Sequence, residues 1–324
     1  MTSPQYFSRI AGIGTYLPEK CLTNKDLETF VDTTDEWIVK RTGVTQRFIA
    51  AEGEGTADMA AAAARRALEA ANVDASEIEL VIVATHYPDM ATPSVACLVQ
   101  QMLGIKQGFA YDLNAACTGF VYALGNVDAY IRCGQIKKAL IIGADRLSQV
   151  IRWQERGTAV LFGDGAGAAV VEVSNEPGVL SVHLRADGAQ RDSVYINHGT
   201  PVYEPMSEAN RVVMNGPELF KQAVRGMSSI VKEALEKNNF TADDIDWIIP
   251  HQANVRIVDA TVKASGIAAE KAIVTVGQHA NTSAATIPMA MEAGLLDGRI
   301  KRGQHLMFTA AGGGLTWGSA LLRY

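Results

Sequence analysis

Cys117 lies in AYDLNAACTGF, Ala110–Phe120, where an apolar run reaches a turn and a helix of small residues begins. A cysteine at a helix N-terminus faces free backbone N–H groups and the positive end of the helix dipole, which favours a thiolate and lowers the thiol pKa. Such N–H groups can also receive a developing oxyanion. Against this stands the commoner fate of a free cysteine, a small buried hydrophobe. Position alone leaves both readings open. Cys21, Cys97 and Cys133 lack the strand–turn–helix setting and are read as packing residues.

His251 follows Pro250 directly after an apolar run in IIPHQANVRI, and Asn281 stands in GQHANTSAA at what reads as another strand end of the same half. Strand ends of α/β sheets are where ligand chemistry gathers. A histidine and an asparagine there can both aim N–H donors at one carbonyl oxygen and stabilise an enolate without a metal. Each also has a plainer reading, a satisfied core histidine and a helix N-cap. His86, His183, His198, His279 and His305 lack a comparable setting and receive no role. Gly312–Gly314, in TAAGGGLTWGSA, permits close backbone approach and a backbone N–H beside Cys117. The motif lacks the Gly-Lys-Ser/Thr ending of a P-loop.

These residues need a scaffold. ELVIVATH, KKALIIGAD, GAGAAVVEV and IDWIIPH read as buried strands. TADMAAAAARRALEAANV and GPELFKQAVRGMSSIVKEALEKNN read as amphipathic helices, and the alternation predicts α/β layering. ALEAANVDASEIELVIVATH then recurs as ALEKNNFTADDIDWIIPHQA. Ile78 matches Ile245 at a spacing of 167 residues, and Asn114 matches Asn281 at the same spacing. Each half closes with a glycine-rich turn into a strand. We read an internal duplication, residues 1–177 carrying the cysteine and residues 178–324 carrying His251 and Asn281, related by a pseudo-twofold. Residues 178–217, with His198, Gly199, Pro201, Pro205 and Asn210, show weaker periodicity and are expected to form a long connection and part of a lid.

Composition excludes several classes. A chain of 324 residues, 48% hydrophobic, supports one large core or two fused domains. No run of 18 apolar residues predicts a membrane span, and MTSPQYFSRI lacks the basic and apolar regions of a secretory signal, so a cytoplasmic protein is expected. A net charge of −6 argues against nucleic-acid binding. Four cysteines without C-x-x-C spacing or a partner histidine suggest neither a zinc site nor a disulfide framework.

NAACTGF, PHQANVRI, HANTSAA and GGGLTWGSALLRY, in that order, resemble the β-ketoacyl-ACP synthase III family. VDTTDEWIVKRTGVTQR and LFGDGAGAAV extend the resemblance over almost the whole chain. It implies the thiolase fold, two fused five-stranded α/β halves in αβαβα layers, and a homodimer. It implies a triad of Cys117, His251 and Asn281. Cys117 takes the acyl group of an acyl-CoA; malonyl-ACP loses CO2; the enolate, stabilised by His251 and Asn281, attacks the acyl-cysteine and gives the β-ketoacyl-ACP that starts fatty-acid synthesis. Backbone N–H groups of Cys117 and Gly313 would form the oxyanion hole. Trp37 and Arg156 would flank the CoA adenine. Thr33, Arg41, Gly157, Gly216 and Asn254 would line the nucleotide and pantetheine path. Lys221, Arg256 and Lys263 would face the acidic carrier protein. No metal or redox cofactor is implied; the CoA and ACP thioesters are substrates.

Phe162 would lie beside the acyl pocket. Thr92 and Ala311 occupy positions where members restricted to acetyl-CoA often carry Phe, the first closing the pocket across the dimer interface, and Pro217 replaces an Asn. Two small side chains for two aromatics predict a pocket larger than acetyl, each added methylene being worth about 0.8 kcal/mol when buried. A related reading keeps the fold but transfers the acyl group to another acceptor, or condenses a non-acetyl primer in secondary metabolism. The complete HQAN and NTSAA motifs favour carbon–carbon bond formation. A non-catalytic partner subunit would dispense with Cys117, and a cysteine peptidase would not show the repeat.

Overall fold

The computed structural model describes residues 6–196 and 211–324. Runs of apolar, β-branched residues without polar alternation form strands covered on both faces. Phe7–Tyr16 (β1), Leu80–Ala84 (β2), Phe109–Leu113 (β3), Lys138–Asp145 (β4) and Gly165–Ser174 (β5) make a five-stranded sheet in the order β1-β5-β4-β2-β3. Val179–Ala186 (β6), Trp247–Pro250 (β7), His305–Gly312 (β8) and Thr316–Arg323 (β9) make a second sheet in the order β7-β8-β9-β6.

Among the described residues, six helices form the layers around the sheets: α1 (Thr56–Ala71), α2 (Val95–Met102), α3 (Gly119–Arg132), α4 (Gly216–Lys237), α5 (Val255–Ser265) and α6 (Thr286–Leu296). α1 and α2 cover the outer face of the first sheet, and α4 and α5 that of the second. α3 and α6 lie between the sheets, giving the α/β/α/β/α layering of the thiolase fold. The inter-sheet core gathers Phe120, Ile141, Ile249, Ile287 and Phe308. α1 approaches the sheet closely because its buried face is Ala60, Ala63, Ala64 and Ala67 and because β1 carries Gly12 and Gly14 beneath it.

The duplication is visible element by element. β4 and β8 begin at residues 138 and 305 and end at 145 and 312, the same spacing of 167 at both ends. Asn72 and Asn239, at the ends of α1 and α4, both adopt left-handed backbone conformations, φ 51° and 58°. Ala116 and Ser283, which open the turns before α3 and α6, do the same at φ 47° and 55°.

Two expectations need correction. The expected long connection contains β6, which pairs antiparallel with β9, and the start of α4; Val194–Ile196 and Val212–Met214 pair with each other. His198, Gly199, Pro201, Pro205 and Asn210 lie outside the described residues. Among the described residues the second sheet has four strands rather than five. Its fifth position is reduced to one bridge, Ile248 to Ala272. The cause is Gln252, buried after β7. Its Oε1 accepts the N–H groups of Thr275, 2.8 Å, and Val276, 3.2 Å, and turns that segment into the short helix Val276–His279.

A Cβ at Gly14 would stand 2.2 Å from the Ala67 nitrogen, whereas one at Gly188 would meet nothing within 4 Å. Gly14→Ala should therefore lower stability by about 1–3 kcal/mol, read as a lower urea midpoint, while Gly188→Ala leaves the midpoint nearly unchanged.

Candidate active site

Cys117 sits in the one-turn helix Ala116–Thr118, between β3 and α3, and not in the first turn of α3, which starts at Gly119. The turn is locked to the opposite half. Thr316 Oγ1 donates to the Ala115 carbonyl at 2.9 Å, and Thr118 Oγ1 donates to the Thr316 carbonyl at 3.2 Å. Gly312 lies so close that a Cβ there would be 2.6 Å from the Cys117 nitrogen. The expected lowering of the thiol pKa does not hold. Burial pushes the Cys117 thiol up to about 12, and the nearby Asp145 carboxylate adds to the rise. The Ser283 hydroxyl, which donates to Sγ at 3.6 Å, pulls the other way. The resting residue is a thiol at neutral pH.

His251 follows β7, and its N–H donates to the Thr309 carbonyl at 2.8 Å. Its Nδ1 lies 2.6 Å from Thr286 Oγ1, which in turn reaches the Ser283 carbonyl at 3.0 Å. Nε2 is the ring nitrogen left for a ligand. Burial, helped by His279, pushes His251 down to about 3, so its ring is neutral at working pH. Asn281 Oδ1 accepts the Ser283 N–H at 2.9 Å, which leaves the amide NH2 as the donor end. Asn114 makes the matching bond to the Ala116 N–H, 3.2 Å, in the first half. The bond itself is therefore a property of the turn; Asn281 is not the helix N-cap that its sequence setting suggests, since Thr282 holds that position.

Cys117, His251, Asn281 and Gly313 line one cavity of ≈ 400 Å³. Phe162, Ala311 and Asn254 line it too, Asn254 while capping α5 by accepting the Ile257 N–H at 3.0 Å. Thr92 does not reach this cavity; it is exposed on the loop before α2. Hydrophobic side chains missed in the sequence, among them Leu147, Val212, Met214 and Leu219, supply much of the apolar wall.

A second opening is lined by Trp37, Lys40, Arg41 and Arg256. Trp37 and Arg156 do not stand apart as an open clamp: the Arg156 guanidinium lies on the Trp37 ring, 4.4 Å from its centroid. Thr33 Oγ1 is buried without a hydrogen-bond partner. Gly157 and Gly216 face open space on their Cβ sides. Lys221 on α4 and Arg256 and Lys263 on α5 are exposed on two helices that pack together, with Arg256 5.7 Å from the Phe220 ring centroid.

His86, given no role in the sequence, lines the main cavity. It stands just beyond β2, and the strand-end argument that selected His251 applies equally to ELVIVATH. Its loop is pinned by Asp89, whose carboxylate accepts the N–H groups of Thr56 and Ala57, both at 2.7 Å.

His279 is buried behind this site. Its Nδ1 donates to the Ala280 carbonyl at 2.7 Å, and burial pushes it down to about 4. An unfolded imidazole gains a proton as pH falls through about 6.5, whereas His279 and His251 stay neutral in the fold. The stability of the neutral rings is complete above that pH and is lost as pH falls toward 4 and 3. His279→Gln should therefore lose less stability than the wild type between pH 7 and pH 4, measured by urea midpoints.

Two family models match the chain, 3-oxoacyl-[acyl-carrier-protein] synthase III over residues 111–188 and its C-terminal counterpart over residues 235–324. A β-ketoacyl-[acyl-carrier-protein] synthase III of Thiobacillus denitrificans is 50% identical over 319 residues, 98% of this chain and 99% of the relative. One of Xanthomonas oryzae is 48% identical over 324 residues, 99% and 100% of the two chains. The crystal structure of 3-oxoacyl-[acyl-carrier-protein] synthase III from Aquifex aeolicus superposes with a TM-score of 0.92 at 44% identity, covering 98% of this chain and 100% of that one. The priming β-ketosynthase of the R1128 polyketide pathway gives a TM-score of 0.93 at 34% identity, covering 100% and 98%. With half of its residues inside the matching models and near-half identity over its full length, the chain belongs to the β-ketoacyl-[acyl-carrier-protein] synthase III family.

Proposed function

We propose that this protein transfers the acyl group of an acyl-CoA to Cys117 and condenses it with malonyl-ACP, releasing CO2 and forming β-ketoacyl-ACP. The observation that carries the reading is the convergence of Cys117 from one half with His251 and Asn281 from the other on a single, largely apolar cavity. Cys117 sulfur attacks the thioester carbon, and the N–H groups of Cys117 and Gly313 receive the oxyanion. The bond to CoA sulfur breaks, and the proton given up by Cys117 leaves with CoA as its thiol. Malonyl-ACP then loses CO2. The enolate oxygen accepts from the Asn281 amide and from His251 Nε2, which carries a proton when the Thr286 hydroxyl turns its own proton toward Nδ1. The apolar wall favours this step because it solvates the malonyl carboxylate poorly and neutral CO2 without penalty, and the two donors act at low dielectric. The reading needs no resident metal or redox cofactor.

The rest of the assignment follows the same reading. Trp37, Arg41, Arg156, Thr33, Gly157, Gly216 and Asn254 guide CoA, with Arg156 lifting from Trp37 to admit the adenine. Arg256 lines the second opening, and with Lys221 and Lys263 on the same two packed helices it receives the carrier protein. The protein acts as a cytoplasmic homodimer: among the described residues β3 pairs only with β2, so its other edge is open, and Phe109 on it is exposed. Among the described residues no helix is long and apolar enough to cross a membrane.

Intact-protein mass after incubation with acyl-CoA tests the nucleophile. One acyl adduct on the wild type and none on Cys117→Ala is expected; an equal adduct on both would sink the assignment. His251→Ala should keep the adduct and lose CO2 release from malonyl-ACP by about 10²–10³-fold, the usual scale for one oxyanion donor. The primer pocket gives a separate outcome. With Ala311 on the cavity wall, butyryl- or hexanoyl-CoA should label Cys117 at least as fast as acetyl-CoA, and Ala311→Phe should restore the preference for acetyl. A steady fall in kcat/KM from acetyl to octanoyl would refute the larger pocket.

A further inference from the structure

Two histidines line the cavity around Cys117, and their surroundings are opposite. His251 has only a hydroxyl at Nδ1 and no carboxylate. His86 Nδ1 lies 3.0 Å from Oδ2 of Asp145, a carboxylate with no solvent exposure at the end of β4. Oδ1 of Asp145 is well supplied, accepting the Thr85 hydroxyl and the His86 N–H at 2.9 Å each. Oδ2 has no donor aligned on it and takes its compensation from the His86 ring. Burial alone would neutralise the imidazole, but the adjacent carboxylate raises its pKa. The pair is linked to the nucleophile by one side chain. Ser283 Oγ stands 3.5 Å from His86 Nδ1 and 3.6 Å from Cys117 Sγ.

A thiolate at Cys117 would form beside a buried negative charge, which Coulomb repulsion opposes strongly at low dielectric. The other charged and titratable groups around it do not compensate. His251 after β7, and His279 behind it, are neutral. Arg191, from the turn Gly188–Ser193, reaches the cavity wall but is largely exposed and lies 3.2 Å from Asp192. We infer that His86, protonated against Asp145, is the counter-charge that allows Cys117 to ionise, a positioning residue that acts on the nucleophile through Asp145 and Ser283. The Cys117 S–H bond breaks in this step, the electron pair stays on sulfur and the proton passes to solvent at the cavity mouth; the CoA thiolate released after acyl transfer takes up one proton, which gives the net balance stated above. Losing the His86 proton exposes the Asp145 charge, so the thiolate becomes harder to form.

The inference rests on Cys117 as the nucleophile, and its test reads the thiol itself. Alkylation of Cys117 by iodoacetamide is followed by peptide mass across pH 6–10, which separates it from the exposed Cys21, Cys97 and Cys133. His86→Gln keeps a hydrogen-bonding side chain but no charge. It should react about tenfold more slowly at pH 7, with its pH–rate curve displaced to higher pH, as a pKa raised by about one unit requires. Adding Asp145→Asn to His86→Gln removes the stranded carboxylate and should bring the rate back toward the wild type. A purely structural role for His86 predicts no such rescue. Superimposable curves for the wild type and His86→Gln, or a double variant as slow as the single one, would overturn the inference. A displaced curve together with no acyl adduct on wild-type Cys117 would keep the charge coupling and reject the nucleophile instead.

Discussion

The arrangement depends on two one-turn segments, Ala116–Thr118 and Ser283–Ala285, meeting at the centre of the molecule. Each opens on a non-glycine residue in left-handed conformation, Ala116 or Ser283, at a cost of about 1–2 kcal/mol. Each lies against a glycine of the opposite half. A Cβ on Gly312 would come within 2.6 Å of the Cys117 nitrogen, and one on Gly143 within 2.5 Å of the Ala284 carbonyl carbon. The turns thus touch strand backbone where no side chain fits. α3 and α6 start from them and become the middle layer, and Ser283 is brought to 3.6 Å from the nucleophile.

Closing the centre so tightly removes water, and that sets the proton chemistry. A thiol and an imidazole without a carboxylate both stay neutral there, while a buried carboxylate favours the charged form of the imidazole beside it. The polar groups are fixed by neighbours rather than by solvent. Thr286 orients His251, the Ser283 N–H orients the Asn281 amide, and Gln252 holds the loop beyond β7 by bonds to Thr275, Val276 and the Pro250 carbonyl. Ordered donors at low dielectric stabilise a developing charge without reorganising, which suits a reaction passing through an oxyanion and an enolate.

Much of this was legible because apolar runs and their spacing survive in the chain. The match of Ile78 with Ile245 anticipates the corresponding strands β2 and β7, and strand-end position marks Cys117 and His251 as candidates before any contact is known, whereas Asn281 follows the short helix Val276–His279 and not the expected strand. β6 was hidden because VLSVHLRA interrupts its apolar positions with Ser, His and Arg, as befits an edge strand paired only with β9. The second sheet's missing strand was also illegible, because Gln252 takes the N–H groups of Thr275 and Val276 and the next N–H groups bond within the short helix that follows. The thiol's environment could not be read from its helix-end position, since desolvation comes from elements far away in sequence. The stacking of Arg156 on Trp37 is likewise a product of loop packing.

The duplication also explains why the two halves differ at the centre. At the spacing of 167 residues, Cys117 corresponds to Ala284, His251 to Ala84, and Asp145 to Gly312. In every pair the larger, reactive side chain has a small counterpart in the other copy. Packing near the pseudo-twofold requires this: a Cβ on Gly119 would already lie 2.7 Å from the Ala84 side chain and 3.6 Å from that of Ala284. A symmetric centre with two cysteines, two histidines and two carboxylates would overfill the space and bury charges that no partner compensates. Asn114 and Asn281, by contrast, are retained in both halves because their common bond serves the turn, not the reaction. Gly312 shows the division most directly. Its lack of a side chain admits the nucleophile's backbone, while its counterpart Asp145 carries the charge that His86 must balance.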